Sequence, residues 1–288
     1  MIYLIISICI SSFLFVIFKL FEVFKINTLQ AIVVNYLVAS SLGFYLSDLP
    51  VNAGEIVGKS WFYGAFSLGL LFILVFNLMA LTSQRNGLSV ASVASKMSLV
   101  VGVLFGIFYY GESANYIKII GIVLALVAVY LASTKEGQAV KKKGSLLFPI
   151  LVFLGSGCID TSLKFFETEY VEKGGVPIFS ATIFASAFLF GLLFLGAKII
   201  KGEFKFHYKN ILGGILLGVP NYFSIVYLLK ALNAEGMESS TAFTVNNVGI
   251  VVLSTLLGLV LFREKLSLKN VLGVLIAVVS VYLVFRHG

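Results

Sequence analysis

Lys96 is a cation within a run of apolar residues. A charge at membrane depth costs about 3 kcal/mol or more unless it faces a partner or a wet cavity. Ser89 and Ser92 precede it by seven and four residues, spacings that put all three on one helical face. Such an ammonium could hold an anionic or carboxylate-bearing solute. The blander alternatives are snorkelling to an interface or pairing with a carboxylate, and the distance of Lys96 from both ends of its run argues against the first. A second stripe lies far along the chain: Ser240, Thr244, Asn247, Val251 and Ser254, at steps of four, three, four and three. Asn246 and Asn247 can each donate and accept, which suits a zwitterionic or polyhydroxyl ligand. The same amides could instead only tie helices together, at ~0.6 kcal/mol per contact.

Asp160 is the one acidic residue clearly inside an apolar run. Ser156, Asp160, Lys164 and Glu167 descend one helical face. Asp160 and Lys164 are therefore candidates for coupling, with protons as the candidate ion, while a salt bridge between them one turn apart is the structural alternative. Pro220-Asn221 is expected to interrupt its helix and free the carbonyl of Leu216, making Asn221 and Tyr222 candidates to line a pathway. Asn35 and Asn77 are further mid-run amides. Gly102-x-x-x-Gly106 and Gly214-x-x-x-Gly218 are expected to allow close helix approach. Glu112 and Glu264 are expected to be caps or loop anchors.

The elements that carry these residues follow from composition. Of 288 residues, 59% are hydrophobic and only 12% charged, and mean hydropathy is +1.04. Soluble domains carry roughly 25% charged residues, so lipid must be the solvent for most of this chain. Runs of about 20 apolar residues, enough to cross a ~30 Å hydrocarbon core, fall at 2–20, 29–47, 60–82, 88–110, 115–134, 146–165, 177–199, 209–231, 239–262 and 268–286. The expected fold is an all-α integral membrane protein of ten transmembrane helices. The first run starts Met1-Ile2-Tyr3 without a basic region or a following small-residue cleavage site, so it is expected to be a mature helix. A β-barrel would show short alternating segments instead.

The net charge of +8 does not indicate nucleic acid, because the basic residues are dispersed among loops. Leaving out Lys96, loops after the odd-numbered runs carry 14 Lys and Arg and the remainder 6, with Lys141-Lys142-Lys143 the densest cluster. The positive-inside rule puts that cluster in the cytoplasm and both termini outside. Cys9 and Cys158 lie in apolar runs, and His207 and His287 form no metal-ligand spacing. No cofactor or metal is expected.

The two halves repeat one another. Glu112, Gly121, Ala125 and Val129-Tyr130-Leu131 match Glu264, Gly273, Ala277 and Val281-Tyr282-Leu283 at an offset of 152, with Gly106 matching Gly258. Lys19-Leu20-Phe21-Glu22 matches Lys164-Phe165-Phe166-Glu167 at an offset of 145. Thr244 then corresponds to Ser92, and Asn247 falls beside the equivalent of Lys96. The repeats are residues 1–140 and 141–288, with five runs each. Because five is odd, the second must enter the membrane in the opposite sense, the inverted repeat of many secondary transporters.

At these motifs the chain resembles a known family. Phe262-Arg263-Glu264-Lys265-Leu266-Ser267 with Asn270, Gly273 and Tyr282 is similar to the end of an EamA domain, and Tyr110-Gly111-Glu112-Ser113 with Gly121 and Tyr130 to a weaker first copy. The first copy has Ser113 where the second has Lys265. The resemblance, to the ten-helix EamA branch of the drug/metabolite transporter superfamily, extends along the whole length. It implies transport of small metabolites, often export of amino acids or related compounds.

The expected function is a secondary transporter, an exporter or exchanger of amino acids or organic anions working by alternating access. Its cavity would lie between runs four and nine, with contributions from three and eight. The expected setting is a bacterial cytoplasmic membrane, as monomer or homodimer. No Gly-x-x-x-x-Gly-Lys-Ser/Thr pattern exists in the sequence, which excludes ATP-driven pumping by this chain alone. The alternative is a proton-coupled multidrug exporter of lipophilic cations, which would need a dominant cavity carboxylate. A membrane-embedded enzyme would need a nucleophile, paired acids or a metal cluster, and the sequence offers only single scattered carboxylates.

Overall fold

The computed structural model describes residues 1–47, 52–86, 94–133, 147–172, 174–262 and 267–287. Among them every regular element is a helix: α1 (Ile2–Val23), α2 (Thr28–Tyr45), the short α3 (Ala53–Val57), α4 (Phe62–Asn86), α5 (Leu99–Tyr110), α6 (Tyr116–Ser133), α7 (Leu147–Tyr170), α8 (Val176–Ile200), α9 (Tyr208–Leu232), α10 (Ser239–Phe262) and α11 (Leu268–His287). Six of the described helices are long and apolar enough to cross a membrane: Thr28–Tyr45, Phe62–Met79, Leu147–Tyr170, Val176–Ile200, Tyr208–Leu232 and Ser239–Leu261. Shorter apolar helices over Ile2–Phe18, Ala94–Tyr110, Tyr116–Leu131 and Leu268–Val284 fall at the other expected runs.

The chain forms two compact units. One holds Met1–Ser12, Val75–Thr161 and Ala231–Gly288; the other holds Phe13–Leu74 and Ser162–Lys230. Each draws on both halves of the chain.

In the first unit α6 and α11 lie side by side and antiparallel. The Ser280 hydroxyl donates to the Gly121 carbonyl at 2.8 Å near the start of α6, and Asn270 Nδ2 donates to the Leu131 carbonyl at 3.1 Å near its end. Small residues line the seam, and Ala125, Ala128, Val129 and Ala277 form a core with Val248 and Val251 of α10. A helical turn over residues 94–97 leads into α5 through a break at Ser98, whose hydroxyl donates to the Ser95 carbonyl at 2.5 Å. A serine bonding its own backbone in this way competes with the helical ladder. Lys96 lies among residues 94–97, at the start of the described part of the apolar helix Ala94–Tyr110. Residues 88–93 of the expected run over 88–110 lie outside the described residues.

In the second unit α2 packs against both α8 and α9. It runs antiparallel to α8, since Val33 faces Gly191 and Gly43 faces Ala181. It runs parallel to α9, where the expected glycine approach is realised. A Cβ on Gly214 would come within 2.7 Å of the Ala31 carbonyl oxygen, and one on Gly218 within 2.9 Å of that of Asn35. Because backbone and not a flexible side chain blocks the space, replacing Gly214 by leucine must part the helices. The expected outcome is a loss of about 1–3 kcal/mol from overpacking, read as a lower melting temperature in detergent. Pro220 does not interrupt α9, which runs unbroken from Tyr208 to Leu232. One missing hydrogen bond is tolerated where neighbouring helices hold both flanks.

Candidate functional site

Three polar side chains of the first unit converge. Lys96, in the turn before α5, donates from Nζ to Asn247 Oδ1 on α10 at 3.4 Å. The Asn247 amide nitrogen in turn donates to the Phe243 carbonyl at 3.1 Å, which orients its oxygen toward the ammonium. Asp160 of α7 supplies the opposite charge, and it and Lys96 act on each other electrostatically. Ser156 and Ser95, one turn along α7 and one residue before Lys96, approach at 3.4 Å between hydroxyls and bring α7 to that turn. Beyond them, a Cβ on Gly157 would come within 2.6 Å of Val101, so the lack of a side chain there lets α7 lie close to α5. Lys96 and Asp160 are both half-buried. The result is a lysine bonded to an amide, with a carboxylate acting on it, in helices otherwise almost wholly apolar. Such a group can bind hydroxyls by donation and acceptance, or the two ends of a zwitterion.

The remaining candidates have other partners. Lys96 acts electrostatically on Asp160. Lys164 is buried in the second unit. Asn246 accepts from the Ser7 hydroxyl of α1 at 3.3 Å. Thr244 is fully buried and turns its hydroxyl to the Ser240 carbonyl of its own helix at 2.7 Å. Asn35 and Asn221 meet each other across α2 and α9, with Asn221 Nδ2 donating to Asn35 Oδ1 at 3.0 Å. Tyr222 is buried beside Gly43. Asn77 is half-buried on α4. Ser92 and Ser89 lie outside the described residues.

The carboxylate of Glu112, in the α5–α6 loop, caps α10. It accepts from the backbone N–H of Ser239 at 2.7 Å and of Ser240 at 2.9 Å, and from both serine hydroxyls. Gly106 makes room, because a Cβ there would lie 2.7 Å from Glu112 Oε2. A carboxylate on a helix N-terminus satisfies orphan donors and meets the positive end of the dipole. This is the cap role expected of Glu112; its counterpart Glu264 lies outside the described residues.

Beside this cap sits a pair the sequence reading passed over. Lys118 of α6 is fully buried and bonds Glu238, whose carboxylate also accepts from the Ser113 N–H and hydroxyl, both at 3.1 Å. The available signal was a lysine near the start of an apolar helix with no acidic residue one turn away on that helix. Burial pushes the Glu238 carboxyl upward, but the hydrogen bonds from Lys118 and Ser113 and the lysine charge outweigh it, and the net shift is below the usual 4.5. A lowered folded value means the pair's contribution is full above the ordinary glutamate value and is lost as pH falls through the folded one. Melting temperature in detergent should therefore fall on acidification below about pH 4.5, and Glu238→Gln should remove part of that dependence while lowering stability at neutral pH.

No family model matches the chain. A protein of Haemophilus influenzae named "Uncharacterized protein" is 28% identical over 262 residues, spanning 89% of this chain and 88% of its own length. A protein of Lactococcus lactis named "Putative sugar uptake protein YxfA" is 28% identical over 237 residues, spanning 78% of this chain and 74% of its own. A solved structure titled only "Crystal structure of protein" superposes with a TM-score of 0.74 at 14% identity, covering 98% of this chain and 94% of that one. At that identity the likeness is one of fold. The EamA resemblance rests on the sequence motifs.

Proposed function

We propose that the chain is a multi-pass membrane transporter that moves a small, polar, uncharged or zwitterionic metabolite by alternating access. The observation that carries this reading is the hydrogen bond of Lys96 to the Asn247 amide, with the Asp160 carboxylate acting on the lysine. Because Asp160 offsets the lysine, the site has no excess positive charge with which to favour an organic anion. A sugar fits its donors and acceptors, and the Lactococcus lactis relative's name supports that class. An amino acid is the second reading, favoured by the presence of both charges in one place. Two bacterial relatives support a bacterial cytoplasmic membrane.

Ten spans in two inverted five-helix repeats are part of the same proposal. Its support is the packing of equivalent helices. The fifth and tenth expected spans, α6 and α11, lie antiparallel in one unit, and the second and seventh, α2 and α8, lie antiparallel in the other. Oppositely inserted copies related by an axis in the membrane plane would pair their equivalent helices in this sense.

The test is counterflow in proteoliposomes with labelled sugars, amino acids, organic anions and cationic dyes, comparing wild type with Lys96→Ala and Asp160→Asn. Sugar or amino-acid flux lost in both variants is the expected result. Dye flux that survives Lys96→Ala and disappears in Asp160→Asn would replace this reading with the multidrug alternative.

A further inference from the structure

The second unit holds a cleft of about 480 Å³ between α4 and α7, lined by none of the Lys96 group. It begins at Ser60 and Tyr170, at the ends of the two helices, and reaches Leu71 and Ser162. The ten residues of α4 from Phe62 to Leu71 correspond to ~15 Å of helix. The cleft therefore runs from the ends of the two helices along about three turns of α4.

Its lining is selective in kind. Ser60, Ser67 and Ser162 contribute three hydroxyls, and Tyr63, Phe166 and Tyr170 contribute aromatic rings. Tyrosine phenols are the only ionisable groups in the lining. Lys59 and Glu172, just outside it on the same two helix ends, pair with each other at 2.9 Å. Phe166 and Tyr170 stand with ring centroids 5.9 Å apart and planes tilted by 43°. The Phe166 ring rests on Gly64, where a Cβ would come within 2.3 Å of its Cζ, so the wall has its present shape only because Gly64 carries no side chain.

We propose that this cleft is a second solute site, a surface subsite that takes an uncharged ring sugar of monosaccharide size. The volume lies within the range of small-ligand pockets, roughly 300–1,000 Å³. A pyranose has an apolar C–H face that an aromatic ring can cover and equatorial hydroxyls that serines can both donate to and accept from. An open-chain polyol has the hydroxyls without a persistent apolar face, and a charged solute would meet no counter-charge. The proposal rests on the transporter reading only for the class of solute; occupancy of the cleft can be measured without transport.

Trp61 is the only tryptophan of the chain, buried next to Ser60 and packed edge-on against Phe179 at 5.5 Å. Its fluorescence reports on the cleft. Protein in lipid nanodiscs, free of glycosidic detergent, is titrated with D-glucose, D-galactose, D-sorbitol and L-alanine. The expected result is a saturable change with at least one hexose and at least tenfold weaker response to sorbitol and alanine. Tyr170→Ala should weaken the hexose response tenfold or more, and Gly64→Leu should abolish it. A wild type silent to both hexoses, a response equal for sorbitol, or one unaffected by Tyr170→Ala would overturn the proposal. Failure of the transporter reading would appear separately, as absent counterflow with the Trp61 titration intact.

Discussion

Lys96→Ala should lower solute flux by roughly 10- to 150-fold, the equivalent of one hydrogen bond to a charged group at ~1.5–3 kcal/mol. The same change strands Asp160 without the cation that acts on it. Breaking one side of a buried ion pair typically costs about 3–5 kcal/mol, and half-burial of both residues places the expected loss at or below the lower end of that range. A stability defect could thus imitate a transport defect, and the double variant Lys96→Met/Asp160→Asn separates them. It removes both charges, so the melting temperature should return toward the wild-type value. If the pair serves solute binding, flux should stay low. Recovery of flux together with stability would mean that the pair only holds α7, α10 and the turn before α5 in place.

Glu112→Ala should be the most destabilising single change outside the helical core. Four donors at the start of α10 depend on that carboxylate. Loss of an ordinary cap costs about 0.5–2 kcal/mol, and buried donors left without a partner add ~1–3 kcal/mol. A fall of several degrees in melting temperature is expected, with Glu112→Gln intermediate because an amide oxygen can still accept but carries no charge for the helix dipole. Asn247 stands two turns further along α10, so Glu112→Ala should also raise the half-saturating solute concentration. An unchanged melting temperature would show that water replaces the carboxylate and that the cap is dispensable.

Much of the architecture was legible because lipid imposes a severe rule. A chain that leaves backbone groups in hydrocarbon must bond them within the same segment, and long apolar runs then read directly as helices. Their punctuation placed most helix ends within a few residues. Gly214 and Gly218 announced a close approach that α2 now occupies, and Glu112 announced an anchor. Periodicity was equally informative about faces: the stripe on α10 does bring Asn247 to Lys96.

What periodicity could not supply was the partner of each polar group. Helix spacing gave Asp160 a neighbour in Lys164, four residues on, whereas folding sets a lysine 64 positions earlier in the chain against it. Asn35 and Asn221, candidates 186 positions apart, bond each other across α2 and α9. The kind of element, its approximate length and the identity of the few charges that must be accommodated could be read along the chain, since all of these are local or additive properties. Only the tertiary structure decided which charges and amides meet, because a buried polar group is satisfied by whatever donor or acceptor packing brings within about 3 Å, at any separation along the chain.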